Sequence, residues 1–374
     1  MAADSGLHDA RCRAPDHTPC QRNAMEIARI QSQGFALSQY SSYKTRRLRM
    51  PSGAWDQLVF TGLLVALWTY KCIMTVLFQD KIIYMPYMPP FARSEKLSDY
   101  TGGCKPVQWT EHRVRSIDGT TISLAVGTIP EPLGANTLAT TDVVILYFQG
   151  NGGSTPARLP LLTSTLKLVN PHSTPGEMRY TIIAVSYRGY WTSQGRASER
   201  GIKLDAAATL AYVAEKYPSA QVILWGQSIG AGVACAAAAE YLTTVANVRI
   251  VGLILETPFT SVKSMLIALY PQKWLPYRYL HSFLWNHWDS GAALQRIAAT
   301  DGSKPHVLLL PATRDEVVPP EEIEKLASIC TEARLSTRRV DVLGALHTEA
   351  TTRREGQQAV AEFVRDVYKD SQSK

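Results

Sequence analysis

Residues 222–232 read VILWGQSIGAG, and the rest of the chain is arranged around them. Residues 222–225 are apolar and partly β-branched, the composition of a strand buried on both faces. Gly226-Gln227-Ser228-Ile229-Gly230 follows. Ala231, Gly232 and the alanine-rich run 233–239 then continue as a small-residue helix able to press closely against a sheet. Strand, G-x-S-x-G and helix in that order set a serine on a turn so tight that only residues without bulk fit two positions to either side. Such a turn exposes the Ser228 hydroxyl at the carboxyl edge of the sheet. It also aims the N–H groups of a helix start at any negative charge forming there.

Moving outward, the pattern repeats. Residues 107–117 and 121–129 flank Asp118-Gly119, a hairpin signal. Residues 143–148 form a continuous apolar strand that runs into the loop Gln149-Gly150-Asn151-Gly152-Gly153. A helix over 157–169, a strand over 182–186 and a helix over 199–216 lead to the serine turn. Beyond it come strands at 250–255, 306–310 and 338–343, with helices at 321–329 and 359–368. Strands alternating with helices after an initial hairpin predict an α/β fold: a mostly parallel central sheet with helices on both faces. Ligands of such sheets meet the carboxyl ends of the strands, where Ser228 stands.

The chain has 374 residues and a net charge of +7, enough length for one large α/β domain plus extensions. Residues 1–54 carry eight Lys/Arg against four Asp/Glu, so the basic excess belongs to that tail. The remainder has no basic face that would suit nucleic acid. Six cysteines lie scattered at 12, 20, 72, 104, 235 and 330, without zinc-like spacing, and Cys235 reads as a small apolar residue of the helix after Ser228. Neither a metal nor a cofactor is expected.

Residues 1–43 are polar and weakly periodic and read as disordered, apart from a short helical pattern at 24–30. Residues 44–49 pack four cations into six positions. Residues 58–78 (LVFTGLLVALWTYKCIMTVLF) then give 21 residues with one charge, Lys71, or about 31 Å of helix, matching a bilayer's hydrocarbon thickness. A signal peptide would lie nearer the N-terminus and have a shorter apolar part. The expected organisation is a basic tail over 1–54, one transmembrane anchor over 55–79, a Pro-rich linker over 80–105 and a catalytic domain over 106–370. The positive flank puts the tail in the cytosol and the domain across the membrane, with the endoplasmic reticulum as the expected compartment.

A serine hydroxyl needs a base, and the base an acid that fixes its tautomer. In this architecture they follow in the order Ser, acid, His. His281 and His287 fall in an aromatic insertion and His306 opens a strand, which leaves His347, in the loop after the last strand. Asp315, after the strand at 306–310, is the first choice of acid. Glu256, ending the strand at 250–255, is the alternative. Two N–H donors must face the developing oxyanion. Ile229 supplies one; the loop after Phe148, where Gly150 and Asn151 permit close approach, supplies the other. The ring-rich stretch within 259–303 is expected to form a small lid with an apolar ceiling suited to an acyl chain.

The run Ser186-Tyr187-Arg188-Gly189-Tyr190-Trp191 with residues 195–201 (GRASERG), then WGQSIGAG, then 255–260 (LETPFT) and 315–319 (DEVVP), resembles the membrane-anchored α/β-hydrolase-domain serine hydrolases, the fungal bud-emergence type in particular. The resemblance covers roughly 58–370. It implies Ser228 as nucleophile, Asp315 as acid, His347 as base, a single-pass anchor, and activity on acyl esters or thioesters of lipids or lipidated proteins. One position departs from the pattern: the family loop reads His-Gly-Asn-x-Gly, and here Gln149 stands in place of the His, so the loop must be braced differently. A catalytically silent membrane scaffold of the same fold is the alternative reading, and a peptide hydrolase the third.

Overall fold

The computed structural model describes residues 52–130, 141–170, 178–244 and 248–372. The helical pattern at 24–30 and the cation cluster at 44–49 lie outside them. Residues 60–374 make one compact unit, and of the unit before it only the start of the first helix is described.

That helix, α1 (Ser52–Leu77), is followed at once by α2 (Gln79–Tyr84) and the single turn α3 (Ser98–Thr101). The sheet then runs β1 (Gln108–Arg115), β2 (Thr121–Thr128), β3 (Thr141–Phe148), β4 (Met178–Ser186), β5 (Gln221–Gln227), β6 (Arg249–Glu256), β7 (His306–Leu310) and β8 (Thr337–Arg339). Its eight strands stand in the order β1-β2-β4-β3-β5-β6-β7-β8. β2 is antiparallel to both its neighbours, β1 and β4, and all the remaining pairs are parallel. The parallel strands read as near-continuous apolar runs because helices cover both faces. On one face, α4 (Leu159–Val169) and α10 (Arg354–Gln372) bury Leu162, Leu166, Phe363 and Val364 against Ile145, Ile223 and Leu308. On the other, α5 (Glu199–Lys216), α6 (Ile229–Thr244), α8 (Ser290–Ala298) and α9 (Pro320–Glu332) close over Leu146, Leu224 and Leu309. The small side chains of α6, such as Ala231, Ala234 and Ala238, let that helix lie close to the strands.

Several expectations change in detail. The last strand is three residues, not six. Val340 still donates to the Leu309 carbonyl and Val342 to that of Pro311, but Pro311 has no N–H to return a bond, so the ladder loses regularity there. The stretch expected as lid divides: α7 (Val262–Leu269) and a 3₁₀ segment, Pro276–Phe283, lie over the strand ends, whereas α8 carries Leu294 and Ile297 into the core. The segment read as a linker folds onto the domain. Tyr84 and Ala92 are buried, Gly152 donates to the Tyr84 carbonyl, and the Trp191 indole donates to that of Glu95.

Candidate active site

Because β3, β5, β7 and β8 are parallel, the loops that follow them rise from one edge of the sheet, and the candidate residues meet there. The turn after β5 holds Ser228 in the left-handed region at φ 54°. That backbone is costly for a non-glycine residue and persists because its neighbours permit nothing else. A Cβ on Gly226 would stand 2.1 Å from the Gly230 carbonyl oxygen, and one on Gly230 2.1 Å from that of Phe148. The Ser228 N–H donates to the Glu256 carbonyl at 2.8 Å, tying the turn to β6.

His347 Nε2 lies 2.9 Å from Ser228 Oγ, and its Nδ1 lies 2.8 and 3.0 Å from the two oxygens of Asp315. A carboxylate only accepts, so Nδ1 carries the ring proton and Nε2 is left as the acceptor for the serine hydroxyl. Asp315 is itself held, its Oδ1 accepting from the Val317 and Val318 N–H groups at 2.9 and 2.8 Å. Glu316, which the sequence offers only as a neighbour of the acid, accepts from the His347 backbone N–H at 3.0 Å. It braces the loop that carries the imidazole, a role with no signature in the sequence.

Glu256 has different partners. Fully buried, it accepts from the Trp225 indole at 3.0 Å, Gln227 Nε2 at 3.3 Å, and the Thr351 backbone N–H and hydroxyl at 3.2 and 2.6 Å. Burial raises its carboxyl above the usual range, and the bonds from Thr351 and Trp225 offset part of that rise. It knits β5, β6 and the segment after His347 beneath the serine turn.

The remaining predicted residues surround an apolar cavity of about 260 Å³ at Ser228, lined there by Ile229 and Asn151. Ile229 opens α6, so its N–H is among those a helix start leaves free. A Cβ on Gly150 would meet its protein neighbours at 3.5 Å, ordinary contact, whereas the tight approaches within the protein are those at Gly226 and Gly230. Gln149 is buried. Its side-chain oxygen accepts from the Thr155 hydroxyl at 3.1 Å and its carbonyl from Tyr187 at 2.8 Å, which is how this loop is braced without a His. His306 bonds Ser336 at the far end of β7, and His281 and His287 lie beyond α7. Among the described residues, no three His, Cys, Asp or Glu side chains are placed to hold a metal ion.

Comparison with known proteins agrees with the fold. The alpha/beta hydrolase fold family matches residues 143–293. Protein bem46 of Schizosaccharomyces pombe is 33% identical over 193 residues, 51% of this chain and 57% of that protein. The lysophosphatidylserine lipase ABHD12 of Danio rerio is 29% identical over 195 residues, 51% of this chain and 48% of that protein. The chain thus spans about half the length of these relatives. Among solved structures, an esterase of Pyrococcus furiosus superposes with a TM-score of 0.51 at 18% identity, covering 73% of this chain and 93% of its own, a likeness of fold. With its serine turn and sheet order, the chain has the α/β-hydrolase fold, and over about half its length it is similar to α/β-hydrolase-domain proteins.

Proposed function

We propose that this protein is a membrane-tethered serine hydrolase that cleaves acyl esters or thioesters of lipids or lipidated proteins. The observation that carries the reading is the unbroken chain Ser228–His347–Asp315 at the floor of an apolar cavity. Ser228 Oγ attacks the acyl carbonyl carbon while His347 Nε2 takes its proton, and Asp315 stabilises the imidazolium through Nδ1–H. The carbonyl oxygen becomes an oxyanion facing the N–H groups of Ile229 and of the loop at Gly150 and Asn151. Collapse breaks the bond to the alcohol or thiol, which leaves with the proton from His347. Water then repeats the sequence and frees the acid.

The lysophosphatidylserine lipase activity for which the ABHD12 relative is named supports lipid esters as the substrate class. Membrane attachment is supported by Gly53–Leu77, which contains an 18-residue window of mean hydropathy 1.6 with none of it buried. With the cations before it the tail faces the cytosol and the catalytic domain an endomembrane lumen. A silent scaffold would have no need of a serine, imidazole and carboxylate kept in hydrogen-bond register. A fluorophosphonate probe tests the proposal. Labelling of the wild type and its loss in Ser228→Ala are expected, together with hydrolysis of matched ester and thioester series; an unlabelled, inactive wild type overturns it.

A further inference from the structure

The loop after β3 is not held by its own strand alone. Gly152 and Gly153 stand in the left-handed region at φ 66° and 73°, a backbone that glycine adopts readily and other residues rarely. Their N–H groups are taken up by the segment that begins at the end of α2: Gly152 donates to the Tyr84 carbonyl at 3.0 Å and Gly153 to that of Met88. A Cβ on Gly152 would stand 3.3 Å from the Met88 carbonyl oxygen, so loop and segment pack backbone to backbone. The next residue, Ser154, is buried and donates its hydroxyl to the Glu95 carboxylate. Three consecutive residues at the far end of the loop are thus bound to residues 84–95. Among the described residues, the Gly150 and Asn151 N–H groups meet no acceptor.

The motif at 186–191 supplies the other half of this frame. None of its residues lines the cavity, yet each of its three rings donates to a backbone carbonyl of the loop or of the segment. Tyr187 donates to the Gln149 carbonyl at 2.8 Å, Tyr190 to that of Tyr84, and the Trp191 indole to that of Glu95 at 2.7 Å. Arg93 returns the contact, donating to the Trp191 carbonyl at 3.2 Å and to that of Ser193 at 3.3 Å. All three rings are buried, and a bond made out of water fixes its partner because leaving it unmade is costly. Gly150 is the point the frame serves. A Cβ there would lie 3.5 Å from Ser228 Cβ, and Asn151 beside it lines the cavity. An oxyanion donor acts only if it is held within about 3 Å of the place where the charge develops.

We propose that residues 84–95, with Glu95 as a positioning residue, set the oxyanion loop. By taking the Gly152 and Gly153 N–H groups and the Ser154 hydroxyl, they hold those of Gly150 and Asn151 toward the carbonyl oxygen of the ester that Ser228 attacks. The stretch that reads in the sequence as a Pro-rich linker between anchor and domain is then part of the catalytic apparatus, although none of residues 84–95 lines the cavity. The proposal rests on the hydrolase reading, with Ser228 as nucleophile, and its test separates the two.

The full chain in detergent is assayed with p-nitrophenyl butyrate, its active sites are counted by end-point labelling with a fluorophosphonate, and it is inhibited with an alkyl trifluoromethyl ketone. Ser228 Oγ adds to the carbonyl carbon of that ketone, its proton passes to His347, and the carbonyl oxygen becomes an oxyanion in the same hole. In Glu95→Ala, kcat per active site is expected to fall about tenfold with KM within about twofold, part of the roughly 10²–10³ that loss of a whole donor costs. The inhibition constant of the ketone is expected to rise in step with the fall in kcat/KM. Glu95→Gln, whose amide oxygen still accepts from Ser154, is expected to keep both within about twofold of wild type. Ser154→Ala removes the same bond from the other side and carries the same expectation, so a Glu95→Ala chain that does not fold leaves the test standing. A merely structural contact would lower the labelled fraction and the melting temperature and leave kcat per active site and the inhibition constant unchanged. That result overturns the proposal, as does a Glu95→Gln chain as impaired as Glu95→Ala. A wild type that is neither labelled nor active overturns the hydrolase reading instead.

Discussion

The serine turn and the lid face each other across one cavity and are held in opposite ways. At the turn, position is enforced by backbone that cannot yield: carbonyls 2.1 Å from any Cβ on Gly226 or Gly230, and a Ser228 that keeps φ at 54°. The lid is held by side chains at its two roots. Glu322 accepts from the Thr260 N–H and the Ser264 hydroxyl where the lid begins. Asn286, Gln79 and Glu199 hold it where it ends. The difference follows from the work each region performs. A nucleophile's oxygen must be placed to a fraction of an ångström, whereas a cover over an apolar cavity needs only a fixed root and an apolar inner face.

The sharpest way to break the comparison is at the turn's own chemistry. Asp315→Asn is expected to lower kcat by about 10⁴, roughly 5.5 kcal/mol of barrier, with the melting temperature little changed, because a mis-set tautomer costs turnover and not packing. Next in size, Gly230→Ala forces backbone apart and is expected to cost about 4 kcal/mol or more in denaturant unfolding, or to give no soluble protein. Glu256→Gln places an amide among four donors; a loss of about 1–3 kcal/mol in stability is expected, with kcat within tenfold of wild type. If Glu256→Gln abolishes turnover while Asp315→Asn does not, the two carboxylates have exchanged roles.

The lid should respond more mildly. Asn286 is buried and bonded to Gln79, Asp80, Tyr84 and Glu199, so Asn286→Ala is expected to cost about 1–3 kcal/mol and to open residues 262–285 to limited proteolysis before the core melts. The smallest effect is pH-dependent. Burial alone would raise the Glu322 carboxyl, but bonds from Lys325, Ser264 and Thr260 outweigh it and the net direction is down. A carboxyl lowered in the folded state contributes stability above its unfolded value, about 4.3, and loses it as the pH falls through the folded one. A stability gap between wild type and Glu322→Gln is therefore expected near neutrality and is expected to shrink as the pH falls below about 4.3; a gap that does not change with pH, in thermal melts, would show that shape and not charge holds the lid's first root.

Much was legible along the chain because it is local. A strand, a tight glycine-flanked turn and an alanine-rich helix are written in eleven consecutive residues, and alternating apolar runs announce the layered sheet, since burial on two faces demands uninterrupted hydrophobicity. The order Ser228, Asp315, His347 follows from topology, and a predominantly apolar stretch of 21 residues with one charge suffices to suggest a span. The choice between Asp315 and Glu256 was not local. Glu256 ends one parallel strand and Asp315 lies in the loop after the next, on the same edge, and only the packed structure turns one toward the imidazole and surrounds the other with donors. The same holds for Glu316 beneath His347, for Gln149 bracing the loop without a His, and for α8 leaving the lid for the core. Sequence periodicity reports which face of an element is buried; which distant side chain it is buried against depends on how the layers close, and that is decided only when the whole chain packs.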